Sequence, residues 1–358
     1  MKNLAILSIL ITLVLSGCDE FEPLISNKDK DFPDYDYTAV YFPIQYPIRT
    51  IDLATDARID NSYDLEHMFH IGISMGGVYE NTLDREVRFQ YDPSLVPDGL
   101  RAVPSRGETI DSILVLPPEY YELNPSSGSV VTIPEQELSG LIEVQLNDAF
   151  FEDSLSLLNT YVIPLKITEA MNVDSVLTGL PVTENPVRTN SAHWDPSAPP
   201  RDFTLFMVKF INKYHGDYLI RGVDYSLDSA DNRVDTLIYR DKYLERNKTV
   251  KLKSGGLRNI ITNHTGSKIS DDGKYALTLD VDEAGSVSVG SMPDAIYVAS
   301  GSGSFLPREE STEIWGSEPR KTFYLHYNYL DGTENHEVFD TIVFRHTGTV
   351  LEYFTPLW

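Results

Sequence analysis

Short apolar runs that alternate with polar residues, closed by proline, glycine or aspartate, constrain this chain more than any other feature. Side chains reverse direction at each residue of a strand, so such alternation places every apolar group on one face. Phe69, Ile71 and Ile73 alternate with His70, Gly72 and Ser74. Val87, Phe89 and Tyr91 alternate with Arg88 and Gln90; in Gly216 to Asp224, Tyr218, Ile220 and Gly222 share one face and Leu219, Arg221 and Val223 the other, a strand with apolar groups on both sides. Long apolar stripes at the helical period of 3.6 are missing, and only Asp148 to Leu158 has a local helical pattern. Tyrosine (21) and phenylalanine (15) are abundant, and both favour strands. The chain is predicted to be all-β.

Its 358 residues suit two domains. Residues 38–180 carry about seven short strand patterns, among them Thr38 to Gln45, Phe69 to Ser74, Glu86 to Tyr91, Leu141 to Leu146 and Tyr161 to Ile167. This pattern predicts an immunoglobulin-like β-sandwich. Cys18 is the only cysteine, so packing alone must hold that sandwich together. Residues 181–201 contain Pro181, Pro186, Pro196, Pro199 and Pro200 and are predicted to be a linker. Residues 202–358 hold many strand patterns joined by tight turns such as Asp271-Asp272-Gly273 and Asp331-Gly332. An up-and-down meander closed into a lipocalin-like β-barrel removes the exposed edges; a second sandwich is the alternative.

Residues 1–17 place Lys2 before an apolar run from Leu4 to Leu15. The run is too short for a bilayer, which needs roughly 20 residues, and fits a signal peptide. It ends in Leu15-Ser16-Gly17-Cys18, which resembles the lipobox of bacterial lipoproteins and implies lipidation at Cys18. Residues 18–37 read as a polar tether. Its Asp19, Glu20 and Glu22 resemble the acidic export signal of Bacteroidetes lipoproteins, which implies an outer-membrane location facing the exterior. Contact with the membrane is then expected through the lipid anchor only.

The formal charge of −25 repels nucleic acid and anionic lipid, and mildly disfavours sulfated or uronic-acid polymers. No Gly-x-Ser-x-Gly elbow, His-Glu-x-x-His helix or phosphate-binding glycine loop occurs. The 54 acids offer carboxylate pairs by chance alone, and the eight histidines are dispersed. No catalytic residue, metal or cofactor is predicted. The clusters Asp224, Asp228, Asp231, Asp235 and Asp280, Asp282, Glu283 read as solvated turns.

The stretch from Tyr121-Glu122-Leu123 through Val131-Thr132-Ile133-Pro134, Leu138-Ser139-Gly140 and Asp148-Ala149-Phe150 to Asn159-Thr160-Tyr161-Val162-Ile163-Pro164 is similar to the N-terminal domain of lipoproteins from Bacteroidetes polysaccharide-utilisation loci. Tyr41-Phe42-Pro43 fits the same domain, and Lys209-Phe210-Ile211-Asn212 through Gly216-Asp217-Tyr218 looks like its usual C-terminal companion. The resemblance implies a surface protein beside a SusC/SusD-type importer, with an accessory role like SusE or SusF, binding a polysaccharide or oligosaccharide. Sugar rings need flat aromatic platforms. The candidates are Trp315, in the long loop Gly301 to Pro319, then Trp194, Tyr243 and Tyr297. Against each stands the plainer role of packing a domain junction or a barrel end. The alternative function is a structural or adhesion component that binds another outer-membrane protein.

Overall fold

The computed structural model describes residues 37–54, 60–332 and 334–358. The expected signal peptide, Cys18 and all but the last residue of the tether lie outside the described residues. Among those described, no helix is long and apolar enough to cross a membrane.

The first domain is a sandwich of two sheets. One orders the strands Ser175–Val176, Ala39–Tyr41, Met68–Gly76, Ser139–Leu146 and Tyr121–Asn124. The other orders Arg101–Pro104, Glu352–Leu357, Pro47–Asp52, Phe203–Ile211, Tyr161–Met171, Arg85–Tyr91 and Val130–Ile133. Alternate residues of Met68–Gly76 are buried, as its sequence pattern requires. Phe69, Ile71 and Ile73 meet Val87, Phe89, Ile142 and Val144 in the space between the sheets. Each such side chain contributes roughly 1.5–3 kcal/mol by leaving water. The helical pattern after residue 147 forms a helix over Asp148–Glu152 and a 3-10 turn over Ser154–Leu157.

Two segments of the expected second domain belong to this sandwich. Phe203–Ile211 pairs antiparallel with Tyr161–Met171 and parallel with Pro47–Asp52, and the C-terminal Glu352–Leu357 pairs with Pro47–Asp52 and Arg101–Pro104. The first of these is apolar on both faces. One face packs into the main core through Val208 and Phe210, and the other meets Ile48, Val162 and Phe354 through Phe203, Leu205 and Met207. A strand covered on both sides needs a central place in a layered sheet. The proline-rich segment 181–201 therefore joins one sheet of the sandwich to the other rather than one domain to the next. Arg188 pairs with buried Asp202 at 2.7 Å, and Tyr46 and Trp358 both reach Thr189 O.

The second domain is a closed antiparallel barrel. Among the described residues eight strands form its wall in sequence order: Gly216–Leu227, Lys248–Ser254, Asn259–Thr262, Leu277–Val281, Ser286–Ser291, Val298–Leu306, Thr322–Asp331 and Glu334–His346. The last pairs with the first from Asp217↔His346 to Leu227↔Asn335, which closes the wall. Eight strands leave an interior just wide enough for side chains, and Tyr218, Ile220, Val250, Leu279, Phe323, Leu325 and Ile342 fill it. At Gly301 a Cβ would lie 2.3 Å from His326 O, so only glycine lets these strands approach.

Two chain crossings join sandwich and barrel, at 212–215 and 347–351. Buried Asn212 fixes the first: its Nδ2 donates to Gly256 O (2.7 Å) and Asn259 O (2.9 Å), and its Oδ1 accepts from Tyr214 N.

Candidate ligand-binding pocket

The segment between the strands Val298–Leu306 and Thr322–Asp331 folds back over the outside of the barrel. It is shorter than the loop expected from Gly301, because 301–306 continue the strand. Its tip is a small hairpin in which Ile314–Trp315 pairs with Glu318–Pro319. Gly316 and Ser317 both have φ near +64°, the conformation of a two-residue turn that matches strand twist. The base is pinned to the wall. Arg221 Nη2 donates to both carboxylate oxygens of Glu313 at 2.5 Å, Tyr324 OH donates to Glu313 Oε1 at 3.3 Å, and Arg320 N donates to Glu313 O at 2.9 Å.

Between this hairpin and the end of the barrel nearest the sandwich lies a pocket of about 300 Å³. Phe305, Phe344, Pro307 and Pro319 supply apolar walls, and Lys213, Arg308, Arg320 and Lys321 supply charge. Lys321 is largely buried; its Nζ donates to Lys213 O at 2.6 Å and lies 4.1 Å from the Phe344 ring centre. Arg308 pairs with Glu318. An adjoining groove shares Lys213, Phe305 and Pro307 and is lined on its other side by Asp282, Glu283 and Glu310. In a separate cavity at the domain junction, which Phe210 and Ile211 also line, His215 Nδ1 accepts from Ser254 N at 3.2 Å. Burial pushes its pKa down to about 4, helped by the charges of Lys321, Lys209 and Lys253.

The structure does not bring the four aromatic candidates together. Trp315 is half-buried beside the pocket rather than in its wall, and the Arg320 guanidinium lies 5.3 Å over its ring. Trp194 is buried on the sandwich, where its Nε1 donates to Val187 O at 2.9 Å and Arg188 covers its ring. It anchors the proline-rich crossover and offers no open face. Tyr297 is buried at the far end of the barrel among Tyr275, Tyr329 and Lys268. Tyr243 is exposed, with Lys242 and Arg246 near its ring.

One reading of the acids is corrected. Asp228 caps a turn and Asp282 accepts from Ser286 N, as solvated turns do, but Asp224 is buried inside the barrel. It accepts from His336 Nδ1 at 2.8 Å and Tyr329 OH at 2.7 Å. Next to it buried Asp340 accepts from Tyr327 OH at 2.8 Å and from Tyr239 OH. The hairpin His264–Ile269 plugs this end: Gly266 N donates to Tyr327 OH, and His264 Nε2 lies 3.5 Å from Asp340 Oδ2. Burial first, then Asp340, raises the pKa of Tyr327 and Tyr239, so both phenols stay donors.

The chain matches a protein of unknown function from Bacteroides ovatus with 31% identity and a TM-score of 0.77, over 90% of this chain and 99% of that one. The chain belongs to that protein's family. Within it, residues 213–348 match a domain of unknown function, DUF5627, and residues 35–174 match an N-terminal domain profile. The DUF5627 limits coincide with the barrel and leave Phe203–Ile211 and Glu352–Leu357 outside it, as the strand pairing does. A multidomain protein from Bacteroides ovatus that includes DUF1735 matches at 13% identity and a TM-score of 0.38, over 88% of this chain and 94% of that one. An auxiliary nutrient binding protein from Bacteroides thetaiotaomicron matches at 13% identity and 0.35, over 83% and 90%. No curated protein matches.

Proposed function

We propose that this family member is a surface lipoprotein, lipidated at Cys18, that holds glycan for uptake beside a SusC/SusD-type importer. The pocket beneath the Trp315 hairpin carries this reading. It joins an apolar floor to several polar side chains on a rigid support, the combination that binds a sugar ring and its substituents. The barrel interior is filled, so a ligand must sit on the outside, and the pinned hairpin is the loop arranged to receive it.

Affinity electrophoresis of the full chain in detergent, through gels holding neutral and acidic polysaccharides, tests this. Retardation by at least one polymer is expected, and retardation by none sinks the reading.

A second reading has one observation in its favour. The strand Arg233–Tyr239 pairs on one side only among the described residues, with Gly216–Leu227, and leaves Val234, Leu237 and Ile238 more than half exposed. An unpaired apolar edge can add a partner's strand. Under this reading, Ile238→Lys would abolish pull-down of an outer-membrane partner while sparing the fold.

A further inference from the structure

We infer that the pocket takes a carboxylated sugar, a uronic acid of an acidic glycan, with Arg308 and Arg320 receiving the carboxylate. This deepens the glycan-binding reading and rests on it.

The whole chain is strongly acidic, with 54 Asp and Glu against 29 Lys and Arg in 358 residues. A chance set of eight wall residues would hold less than one cation. This pocket has four, drawn from residue 213 and from the hairpin segment, and no acid. Arg308 pairs with Glu318, Arg320 donates to Trp315 O and Lys321 to Lys213 O, yet four cations around one apolar floor still favour an anion over a neutral or cationic ligand.

The remaining wall and neighbouring groups narrow the anion. A guanidinium presents a planar fork that fits a carboxylate through two parallel hydrogen bonds. Phe305 and Phe344 offer apolar surface to the C–H face of a ring. Asp282, Glu283 and Glu310 in the adjoining groove can accept from hydroxyls, so one side of the ligand meets cations and the other meets acceptors. The volume admits about one or two sugar residues. The Arg308–Glu318 pair is half-exposed. Such pairs are weak, so an incoming carboxylate displaces Glu318 at little cost.

The test runs the full chain in detergent through gels containing uronate polymers (polygalacturonate, alginate, hyaluronan), their carboxyl-reduced neutral forms, a sulfated polymer and neutral polysaccharides. The expected result is retardation by a uronate polymer, at least tenfold weaker for its carboxyl-reduced form. Arg308→Gln with Arg320→Gln should weaken it at least tenfold. Lys213→Gln, an exposed position whose backbone carbonyl keeps its bond to Lys321, should weaken it about threefold even if the double variant does not fold. Equal retardation by the carboxyl-reduced polymer, or by neutral polymers alone, overturns the uronate assignment and leaves glycan binding standing. So does retardation by the sulfated polymer alone. Uronate binding indifferent to all three substitutions overturns the site. No retardation by any polymer overturns both readings.

Discussion

The two ends of the barrel hold their charged groups in opposite ways. At the far end Asp224 and Asp340 are buried, and histidine and tyrosine side chains from neighbouring strands satisfy them. At the end nearest the sandwich, Lys213, Arg308, Arg320 and Lys321 surround an opening. Buried polar groups satisfied by one another hold a fold together. At the near end the cations are held by local partners, Arg308 by Glu318, Arg320 by Trp315 O and Lys321 by Lys213 O, yet all four line an opening that solvent reaches. Polar residues in a barrel thus divide into structural and ligand-facing sets by whether they line such an opening, not by residue type.

The largest effect that would sharpen this contrast is expected at the far end. Asp340→Ala strands the hydroxyls of Tyr327 and Tyr239 in the lumen. Urea unfolding should show a loss on the order of 3–5 kcal/mol with glycan affinity unchanged; a loss below about 1 kcal/mol would make the network incidental.

The junction comes next. A histidine whose folded pKa is depressed to about 4 destabilises the fold wherever the unfolded chain binds the proton and the folded chain does not. Its contribution is fully present above about 6.5 and is lost as pH falls toward 4, on the order of 3 kcal/mol. Asp202, raised to about 6 by burial against the pull of Arg188 and Lys166, works the other way. Its neutral form is favoured in the fold, so its term gains stability as pH falls from 6 toward 3.8. His215→Asn should therefore flatten the acid loss and leave the Asp202 gain visible in melting temperatures between pH 4 and 7. An unchanged pH profile would show that His215 titrates freely.

The near end predicts the smaller effects. Arg308→Gln with Arg320→Gln should cost at least tenfold in glycan affinity, about 1.4 kcal/mol, while stability shifts by about 0.5 kcal/mol or less. A large stability loss with binding intact would reverse the contrast between the ends. Trp315→Ala should do least, removing the ring beneath Arg320 for about 0.5–1 kcal/mol of binding energy. Calorimetry with the retained polymer reads both variants.

Some of this was legible in the residues. The parity that places Tyr218, Ile220 and Gly222 on the lumen face extends by one step to Asp224, and that step separates it from the turn acids Asp228 and Asp231. Asp340 likewise falls between Val338 and Ile342 in its strand. The segment Phe203–Ile211, apolar at every position but Thr204 and Lys209, is consistent with cover on both faces. Its parallel partner Pro47–Asp52 lies far back in the chain, so the domain boundary at residue 202 looked natural from local pattern alone. The pocket left a fainter mark, cations interleaved with Phe305, Pro307 and Pro319 on both sides of a tight turn.

What the sequence by itself determined is the all-β class and the succession of short strands and turns, because strand alternation and turn residues act between neighbours in the chain; it favoured a closed barrel over a second sandwich, and the pairing of Gly216–Leu227 with Glu334–His346 decided it. Tertiary structure alone decided which strands complete the sandwich, which aromatic faces stay open, and that a chain of net charge −25 gathers four cations at one opening. Net charge is a sum over the whole surface, whereas a pocket's field is screened over roughly 8–10 Å and depends on which distant segments the fold brings together.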